Sequence, residues 1–195
     1  MPVGGYTKEE IRRIAGEIGL DVASKPDSQD ICFIPDGDYQ KFLEAYTGKK
    51  LPEGNFVDQN GNILGRHKGI TSYTIGQRKG LNLALGRPVF VTDIRTETNE
   101  VVIGNNEDVF GSCLIAGDLN WMAIDRPDQP LHLFAKIRYA HKGEGCTVAV
   151  TQNETGQDLA RVTFDQPVRA ITSGQAIVFY DGDIVVGGGR IIRKL

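Results

Sequence analysis

The spacing of apolar residues changes from helical to alternating about a quarter of the way along the chain. Apolar residues first recur at helical intervals between Thr7 and Gly19, where Thr7 and Glu10 have the spacing of a capping box. A second amphipathic run follows Asp36, which can cap it, and ends at Gly48. The first 50 residues therefore predict two helices joined by a loop.

From residue 56 onwards, apolar and polar residues alternate, which is typical of strands. Residues 56–64 predict a hairpin in which Asn60 and Gly61 supply the two positive φ angles of a type I′ turn. Residues 69–75 predict a further strand, and residues 88–94 and 100–103 predict a second hairpin. Residues 51–110 are therefore expected to form a small central β domain.

The remaining residues contain six short apolar runs separated by glycine-rich or polar turns. The strands are predicted near residues 113–115, 131–139, 146–151, 159–164, 175–180 and 184–187. Six short strands favour a barrel, because closure leaves no exposed sheet edge. The pattern predicts a mainly β protein: two helices around a cysteine loop (1–50), a small central β domain (51–110) and a C-terminal six-stranded β-barrel (111–195).

Composition narrows the classes of function. The 195 residues carry a net charge of −3, so nucleic-acid binding would have to rest on local basic patches. Three cysteines and three histidines show no zinc spacing, and no metal is expected. The chain shows no signal peptide and no apolar run near 18 residues, so we expect a cytoplasmic protein without a membrane partner. A monomer is expected, because no element shows a conspicuous leftover apolar face.

The loop between the two helices contains Cys32, bracketed by Pro26 and Pro35. Proline fixes its own φ and pushes the preceding residue out of helical space, so the segment is predicted to be extended. Two interpretations remain open: an inert buried thiol, or a reactive thiol presented on a loop. The neighbouring Asp27 and Asp30 would by themselves disfavour a thiolate.

Two short basic segments could contact nucleic acid. Gln77, Arg78 and Lys79 form a turn flanked by glycines, which could approach phosphates or could equally be a solvated hairpin tip. Arg138 and Tyr139 combine a cation with a stacking surface, which is common in RNA-binding proteins. The alternative for this pair is a strand-end arginine and a core tyrosine.

Five further residues with distinctive side chains are interpreted as structural. Cys113 and Cys146 lie in predicted barrel strands and are expected to be core thiols. Trp121 is expected to anchor a core or a domain contact. His67 and His141 lie near turns without a partner pattern, and no catalytic role is predicted for them.

Three sequence blocks resemble the bacterial tRNA-specific 2-thiouridylase family. They are Asp-Ser-Gln-Asp-Ile-Cys-Phe-Ile at 27–34, Tyr-Thr-Ile-Gly-Gln-Arg-Lys-Gly-Leu at 73–81, and Ala-Ile-Val-Phe-Tyr-Asp-Gly-Asp at 176–183 with three glycines at 187–189. The glycine run opens no helix and is not a phosphate-binding loop. The resemblance implies the C-terminal portion of such an enzyme, without its ATP-pyrophosphatase domain.

The resemblance also implies a mechanism and its residues. Family enzymes adenylate C2 of the wobble uridine with ATP, and a cysteine persulfide then delivers sulfur while AMP leaves. Cys32 would be the persulfide carrier, ATP would be bound by the absent N-terminal domain, and a sulfur-relay protein would supply the persulfide. The implied tRNA contacts, or contacts near the active centre, are Gln77, Arg78, Lys79, Arg138, Tyr139 and Gln175.

Other functions stay open at this point. The chain could be a stand-alone tRNA- or RNA-binding β module without catalysis, or a structural β-barrel adaptor for proteins. As part of an enzyme, the fragment by itself is expected to be inactive. The loop around Cys32 is then expected to be exposed, mobile or misplaced.

Overall fold

A computed structural model describes residues 3–25, 34, 38–50 and 52–195, without the side chain of Tyr39. The chain divides into two compact units, Met1–Lys49 and Lys50–Leu195. The mainly β fold class is confirmed, while the predicted three-part division at residues 50 and 110 stays a prediction. In the described part of the chain, no helix is long and apolar enough to cross a membrane.

The first helix, α1 (Lys8–Glu17), begins at the predicted capping box. The Thr7 backbone N–H donates to Glu10 Oε2 at 2.7 Å, and the Glu10 backbone N–H donates to Thr7 Oγ1 at 3.3 Å. Gly19 follows with a φ of +74°, the left-handed conformation that ends a helix. A short 3₁₀ helix, Asp21–Ser24, continues the chain.

The second helix, α2 (Tyr39–Thr47), is capped by a different aspartate from the one predicted. Asp38 accepts a hydrogen bond from the Lys41 backbone N–H at 2.9 Å, so the assignment of the cap to Asp36 is wrong. Two acidic residues two positions apart both fit the sequence pattern, and only the backbone position of the first turn decides between them. Gly48 ends the helix with a φ of +65°, as predicted.

Four strands form the central sheet: β1 (Gly54–Val57), β2 (Ile63–His67), β3 (Phe90–Arg95) and β4 (Glu100–Gly104). Their order is β2-β1-β4-β3, with β1 parallel to β4 and the two hairpins antiparallel. Both predicted hairpins are confirmed. Phe56, Val91, Val101 and Ile103 pack in the core of this sheet.

The turn of the first hairpin is not the predicted type I′ turn. Only Gly61 has a positive φ (+86°), whereas a type I′ turn requires a second one at Asn60. Asp58 instead holds the turn, because its Oδ1 accepts hydrogen bonds from the backbone N–H groups of Asn60 and Asn62, both at 2.9 Å. The pairing of β1 with β2 shifts by one residue between Phe56 and Val57, where a bulge leaves Leu64 without a partner in the register.

The strand predicted at residues 69–75 is wrong. Gly69 turns the chain with a φ of +125°, and Ile70–Ser72 form a 3₁₀ turn. Ile70 and Tyr73 pack on the core of the central sheet, and the Tyr73 ring lies 5.1 Å from Phe56 in an edge-on contact. The apolar side chains of this segment therefore pack on the sheet core from a turn. The same alternation of apolar and polar residues is thus compatible with a structure that is not a strand.

All six predicted barrel strands form, and most are longer than predicted. They are β5 (Phe110–Trp121), β6 (Leu131–Lys136), β7 (Glu144–Gln152), β8 (Asp158–Arg169), β9 (Ala176–Asp181) and β10 (Ile184–Lys194). The barrel closes in the order β10-β5-β8-β7-β6-β9. Its interior is filled by buried aliphatic and aromatic residues that alternate along each strand, among them Leu114, Val148, Val162, Ile177, Phe179 and Ile191.

Strand register determines which of the two described cysteines is buried. Cys146 is fully buried in the barrel core, as predicted, and burial raises the pKa of its thiol to about 12. Cys113 precedes the buried Leu114 and therefore points the other way; it is only half-buried, 3.6 Å from Thr163 Oγ1. The prediction of a core thiol at Cys113 is wrong. Trp121 packs on the barrel core as expected, with its ring 5.9 Å from that of Phe179.

Candidate functional site

Three segments that are far apart in sequence meet in one groove, called here the barrel groove. It has a volume of about 240 Å³ and lies within the unit Lys50–Leu195. It is lined by Thr74, Ile75, Gly76, Arg138, Arg169, Ala170, Thr172 and Gln175. Its lining therefore contains two arginines and no carboxylate.

The barrel topology explains why Arg138 and Gln175 share this groove. Strands β6 and β9 are antiparallel neighbours, with Lys136 opposite Val178. The end of β6 therefore lies beside the start of β9, and Arg138 follows the first while Gln175 precedes the second. Gln175 is exposed, and its backbone carbonyl accepts from the Ile191 N–H at 2.8 Å, which fixes its position at the rim.

Hydrogen bonds to β3 and from the Gln77 side chain hold the 76–80 loop in a defined shape. Two backbone hydrogen bonds, at 2.7 and 2.9 Å, tie Gly76 and Gln77 to Val91 of β3. The Gln77 side chain accepts from the Thr74 backbone N–H at 2.9 Å and donates to the Lys79 carbonyl at 3.0 Å. Gln77 therefore shapes the loop, and the adjoining cationic side chains are left exposed to solvent.

Arg169, at the end of β8, joins the 76–80 loop to the barrel. Its Nη2 donates to the Gly76 carbonyl at 3.2 Å and its Nη1 donates to Asn106 Oδ1 at 2.7 Å. Its guanidinium carbon lies 5.2 Å from the ring centre of Phe90 and 5.7 Å from that of Phe110, both within cation–π range. Nothing in the sequence pattern singled out Arg169, because its partners are all remote along the chain.

Arg138 contacts the backbone at Arg169 and Ala170 through its guanidinium. Its Nη1 donates to the Arg169 carbonyl at 2.7 Å and lies 3.4 Å from the Ala170 carbonyl. Ala170 adopts a φ of +58°, unusual for a residue with a side chain, and its N–H donates to the Val109 carbonyl at 2.9 Å. The next residue in the chain, Tyr139, is 102% exposed, so the alternative of a core tyrosine is wrong.

Both histidines considered in the sequence have structural surroundings. His67 is buried; its Nδ1 accepts from the Gly69 N–H at 3.0 Å, so its Nε2 carries the proton and donates to the Asn99 carbonyl at 3.1 Å. Burial lowers the pKa of His67. Burial, followed by the charge of Arg138, also lowers the pKa of His141.

The sequence matches known protein families along nearly its whole length. Residues 1–36 match the tRNA methyl transferase HUP domain, residues 40–105 the tRNA methyl transferase PRC-barrel domain, and residues 111–191 the aminomethyltransferase beta-barrel domain. The chain is 59% identical to the tRNA-specific 2-thiouridylase MnmA of Lachnoclostridium phytofermentans over 194 residues, which is 99% of this chain and 53% of that protein. The protein of the same name from Clostridioides difficile is 50% identical over 100% of this chain and 53% of its own length.

The chain belongs to the tRNA-specific 2-thiouridylase family. A third relative with this name, from Acetivibrio thermocellus, is 53% identical over 98% of this chain and 52% of its own length. The chain therefore spans about half the length of the curated relatives it matches.

The residues that the family resemblance implied are distributed unevenly over the structure. Arg138 and Gln175 lie in the barrel groove, and Gln77 follows a residue that lines it. Arg78 lines a different groove, and Lys79 is exposed beside it. Cys32 lies outside the described residues, so its role and the expected state of its loop stay predictions. Among the described residues, no cluster of three or more His, Cys, Asp or Glu could hold a metal ion.

Proposed function

We propose that this chain is the tRNA-binding and sulfur-carrying portion of a tRNA uridine 2-sulfurtransferase. The single observation that carries the tRNA-binding part is the barrel groove, in which Arg138 and Gln175 lie beside the 76–80 loop. Relatives that are 50–59% identical and carry the name tRNA-specific 2-thiouridylase support the reaction. Binding and chemistry are separate parts of the proposal and have separate tests.

The groove has the chemistry of a single-stranded RNA site. Unpaired bases are recognised by stacking on aromatic rings and guanidinium planes, and phosphates by cations and amides. Tyr139 presents an entire phenol ring to solvent directly beside Arg138. The Arg138 guanidinium is already oriented by two backbone carbonyls, so little side-chain freedom would be lost on binding.

The proposed reaction follows the family mechanism. ATP would transfer AMP to the C2 oxygen of the wobble uridine (U34) with loss of pyrophosphate. The terminal sulfur of a Cys32 persulfide would then attack C2, and AMP would leave with that oxygen. A second thiol would cleave the remaining sulfur–sulfur bond to release 2-thiouridine. The persulfide must be accessible and must attack as an anion, which fits a thiol on the predicted loop better than the buried Cys146.

The triple glycine of β10 does not form a phosphate-binding loop. The glycine run at 187–189 lies inside β10, paired with β5 on one side and β9 on the other. A Cβ at Gly188 would lie 2.5 Å from the Ile177 carbonyl oxygen, so the glycines serve close strand packing. As the family resemblance implies, we propose that ATP is bound by a portion outside this chain. A sulfur-relay protein as persulfide donor, a cytoplasmic location and a monomeric state complete the proposal.

Replacing Tyr139 tests the RNA-binding part. We expect Tyr139→Ala to weaken tRNA binding by about 1–3 kcal/mol, the usual contribution of one stacked base. Tyr46→Ala is the matched control, since Tyr46 is another tyrosine that is 81% exposed. Affinity is measured by fluorescence anisotropy with a labelled tRNA transcript. Equal affinities for the two variants would remove Tyr139 from the site.

Replacing Cys32 tests the sulfur-carrying part. The chain is fused to the N-terminal half of the Lachnoclostridium relative, supplied with ATP and a persulfide donor, and 2-thiouridine is measured by mass spectrometry of digested tRNA. We expect Cys32→Ser to abolish the product and Cys113→Ser, at a half-buried thiol on the barrel, to retain it. Full activity of Cys32→Ser would exclude the carrier role.

A second candidate function is an RNA-binding module without catalysis. It is favoured by the fact that the barrel groove is formed entirely by residues of the Lys50–Leu195 unit. It predicts tRNA binding that depends on Tyr139 and Arg138, together with a fusion protein that makes no 2-thiouridine whether or not Cys32 is intact.

A further inference from the structure

We infer that a second groove on the central domain binds phosphates of the RNA backbone, with Arg87 as a contact. This groove, called here the loop groove, has a volume of about 570 Å³ and is lined by Arg78 together with residues 80–84 and 86–89. The inference deepens the proposed function and rests on its RNA-binding part.

The charge of the loop groove favours a polyanion. Arg78 and Arg87 both line it, and its lining contains no aspartate or glutamate, although the chain as a whole has a net charge of −3. Arg78 is exposed and makes no ion pair with any described residue. Arg87 donates one N–H to Asn105 Oδ1, which orients the guanidinium and leaves its other donors for a ligand.

The backbone of the loop groove supplies further donors. None of the backbone N–H groups from Gly80 to Arg87 donates a hydrogen bond to another described residue. Gly80, Asn82 and Gly86 have φ values of +78°, +53° and +67°. Residues with a positive φ are a component of the backbone concavities that bind anions. A row of unpaired amides next to two arginines is suited to phosphate oxygens.

The segment is also held firmly in place. Leu81 is only 5% exposed, and Leu83 and Leu85 pack partly buried against the same core of the central sheet. The residues between them, Asn82 and Ala84, are exposed. The alternation anchors one side of the segment in the core and presents the other side to solvent, so the groove exists before a ligand binds.

The loop groove is continuous with the barrel groove along the chain. Gly76 lines the barrel groove and Arg78 lines the loop groove, so the 76–80 loop lies at the border of both. An RNA strand whose bases stack near Tyr139 could therefore continue over this loop with its phosphates on Arg78 and Arg87. The second groove extends the contact surface beyond the residues that the family resemblance implied.

A protein segment is the competing occupant, because unpaired backbone groups can also accept an added strand. Three residues with positive φ within the segment interrupt the regular spacing that a strand needs, and Pro88 removes a donor. Two arginines without a carboxylate also fit a phosphodiester chain better than a neutral strand. RNA is therefore the occupant that the contacts favour.

The test compares Arg87→Gln with Arg66→Gln in the full 195-residue chain. Arg66 is a matched control, because it is an exposed arginine on β2 of the central sheet whose guanidinium lies 3.5 Å from Glu53. Binding of a labelled tRNA transcript is measured over a range of NaCl concentrations. One lost phosphate contact lowers the slope of log affinity against log salt by about 0.7–0.9, which amounts to about five- to eightfold weaker binding at 0.1 M salt.

A second variant and a second readout exclude a folding artefact. Ala84→Asp places a carboxylate in the groove at an exposed position and is expected to weaken binding at least as much as Arg87→Gln. Hydrogen exchange of the amides from Gly80 to Arg87, fast in the isolated chain, is expected to slow when tRNA is added.

The outcomes separate this inference from the proposed function. If Tyr139→Ala weakens binding but Arg87→Gln and Ala84→Asp match Arg66→Gln in affinity and salt slope, the loop groove is not an RNA site and the barrel groove stands. If the intact chain does not bind tRNA, both proposals fail. Slowed exchange that requires a protein partner instead of tRNA would overturn the inference in favour of an added strand.

Discussion

Replacing Arg169 is expected to detach the 76–80 loop from the barrel. The change Arg169→Met keeps the apolar stem of the side chain and removes the hydrogen bonds to Gly76 and Asn106, together with the contacts to Phe90 and Phe110. A hydrogen bond from a charged donor contributes about 1.5–3 kcal/mol when buried and less in water. Each half-exposed cation–π contact contributes about 0.5–1 kcal/mol.

These contributions predict a loss of about 2–4 kcal/mol, because the Gly76 contact is partly buried while the Asn106 contact is exposed. The loss divides between the free energy of unfolding and local opening of the loop. The backbone hydrogen bonds of Gly76 and Gln77 to Val91 remain, so the loop should loosen without detaching from β3. Binding of tRNA should weaken as well, since Gly76 lines the barrel groove.

The free energy of unfolding is measured in urea from the fluorescence of Trp121, which reports the barrel because it packs against Phe179. Hydrogen exchange at Gly76 reports the loop. Arg161→Met is the matched control: Arg161 is an exposed arginine on β8, and its replacement is expected to change stability by less than about 0.5 kcal/mol. If Arg169→Met and Arg161→Met have equal stability and equal exchange at Gly76, Arg169 does not join the loop to the barrel.

Three further predictions follow from burial and close packing. Native Cys146, with its pKa raised to about 12, should resist alkylation at pH 8 until the chain unfolds, whereas the half-buried Cys113 should react before it, as mapped by peptide mass spectrometry. Burial lowers the pKa values of His67 and His141. Below pH 6.5 the unfolded chain therefore binds protons that the folded chain does not, and the free energy of unfolding should fall from pH 7 to pH 5. A His67→Gln variant should be less stable at pH 7 but show a shallower pH dependence; an unchanged dependence would contradict the assignment. Gly188→Ala places a Cβ against a backbone carbonyl and should cost about 1–3 kcal/mol in thermal or urea unfolding, and a neutral result would mean that β9 and β10 can move apart.

Local sequence patterns were sufficient where the deciding contacts are local. The capping box of Thr7 and Glu10 depends on neighbours within a few residues and forms as predicted. The barrel strands were marked by short-range alternation, and all six form, although most are longer than predicted. Prediction failed where one pattern allows two structures. The alternation at residues 69–75 fits a strand, but Gly69 turns the chain into the 3₁₀ turn Ile70–Ser72, and Tyr73 after it packs on Phe56 of the sheet core.

Strand register lay beyond the sequence as well. Cys113 and Leu114 are both apolar and adjacent, so one of them must face outwards, and the pairing of β5 with β8 places Leu114 inside. The same pairing sets Phe110 opposite Arg169 and so creates the contact between the guanidinium and the ring.

The sequence by itself determined the family, the two helices and the order of the central sheet and the barrel, because these depend on motifs and on short-range periodicity. It also marked Arg138, Tyr139, Gln175 and the basic loop as candidates for RNA contact. Only the tertiary structure showed that Arg138 and Gln175 share a groove, since this depends on closure of the barrel between β6 and β9. The contacts of Arg169 and Arg87 were likewise recognised only in the tertiary structure. Their partners are distant in sequence, and packing brings them together.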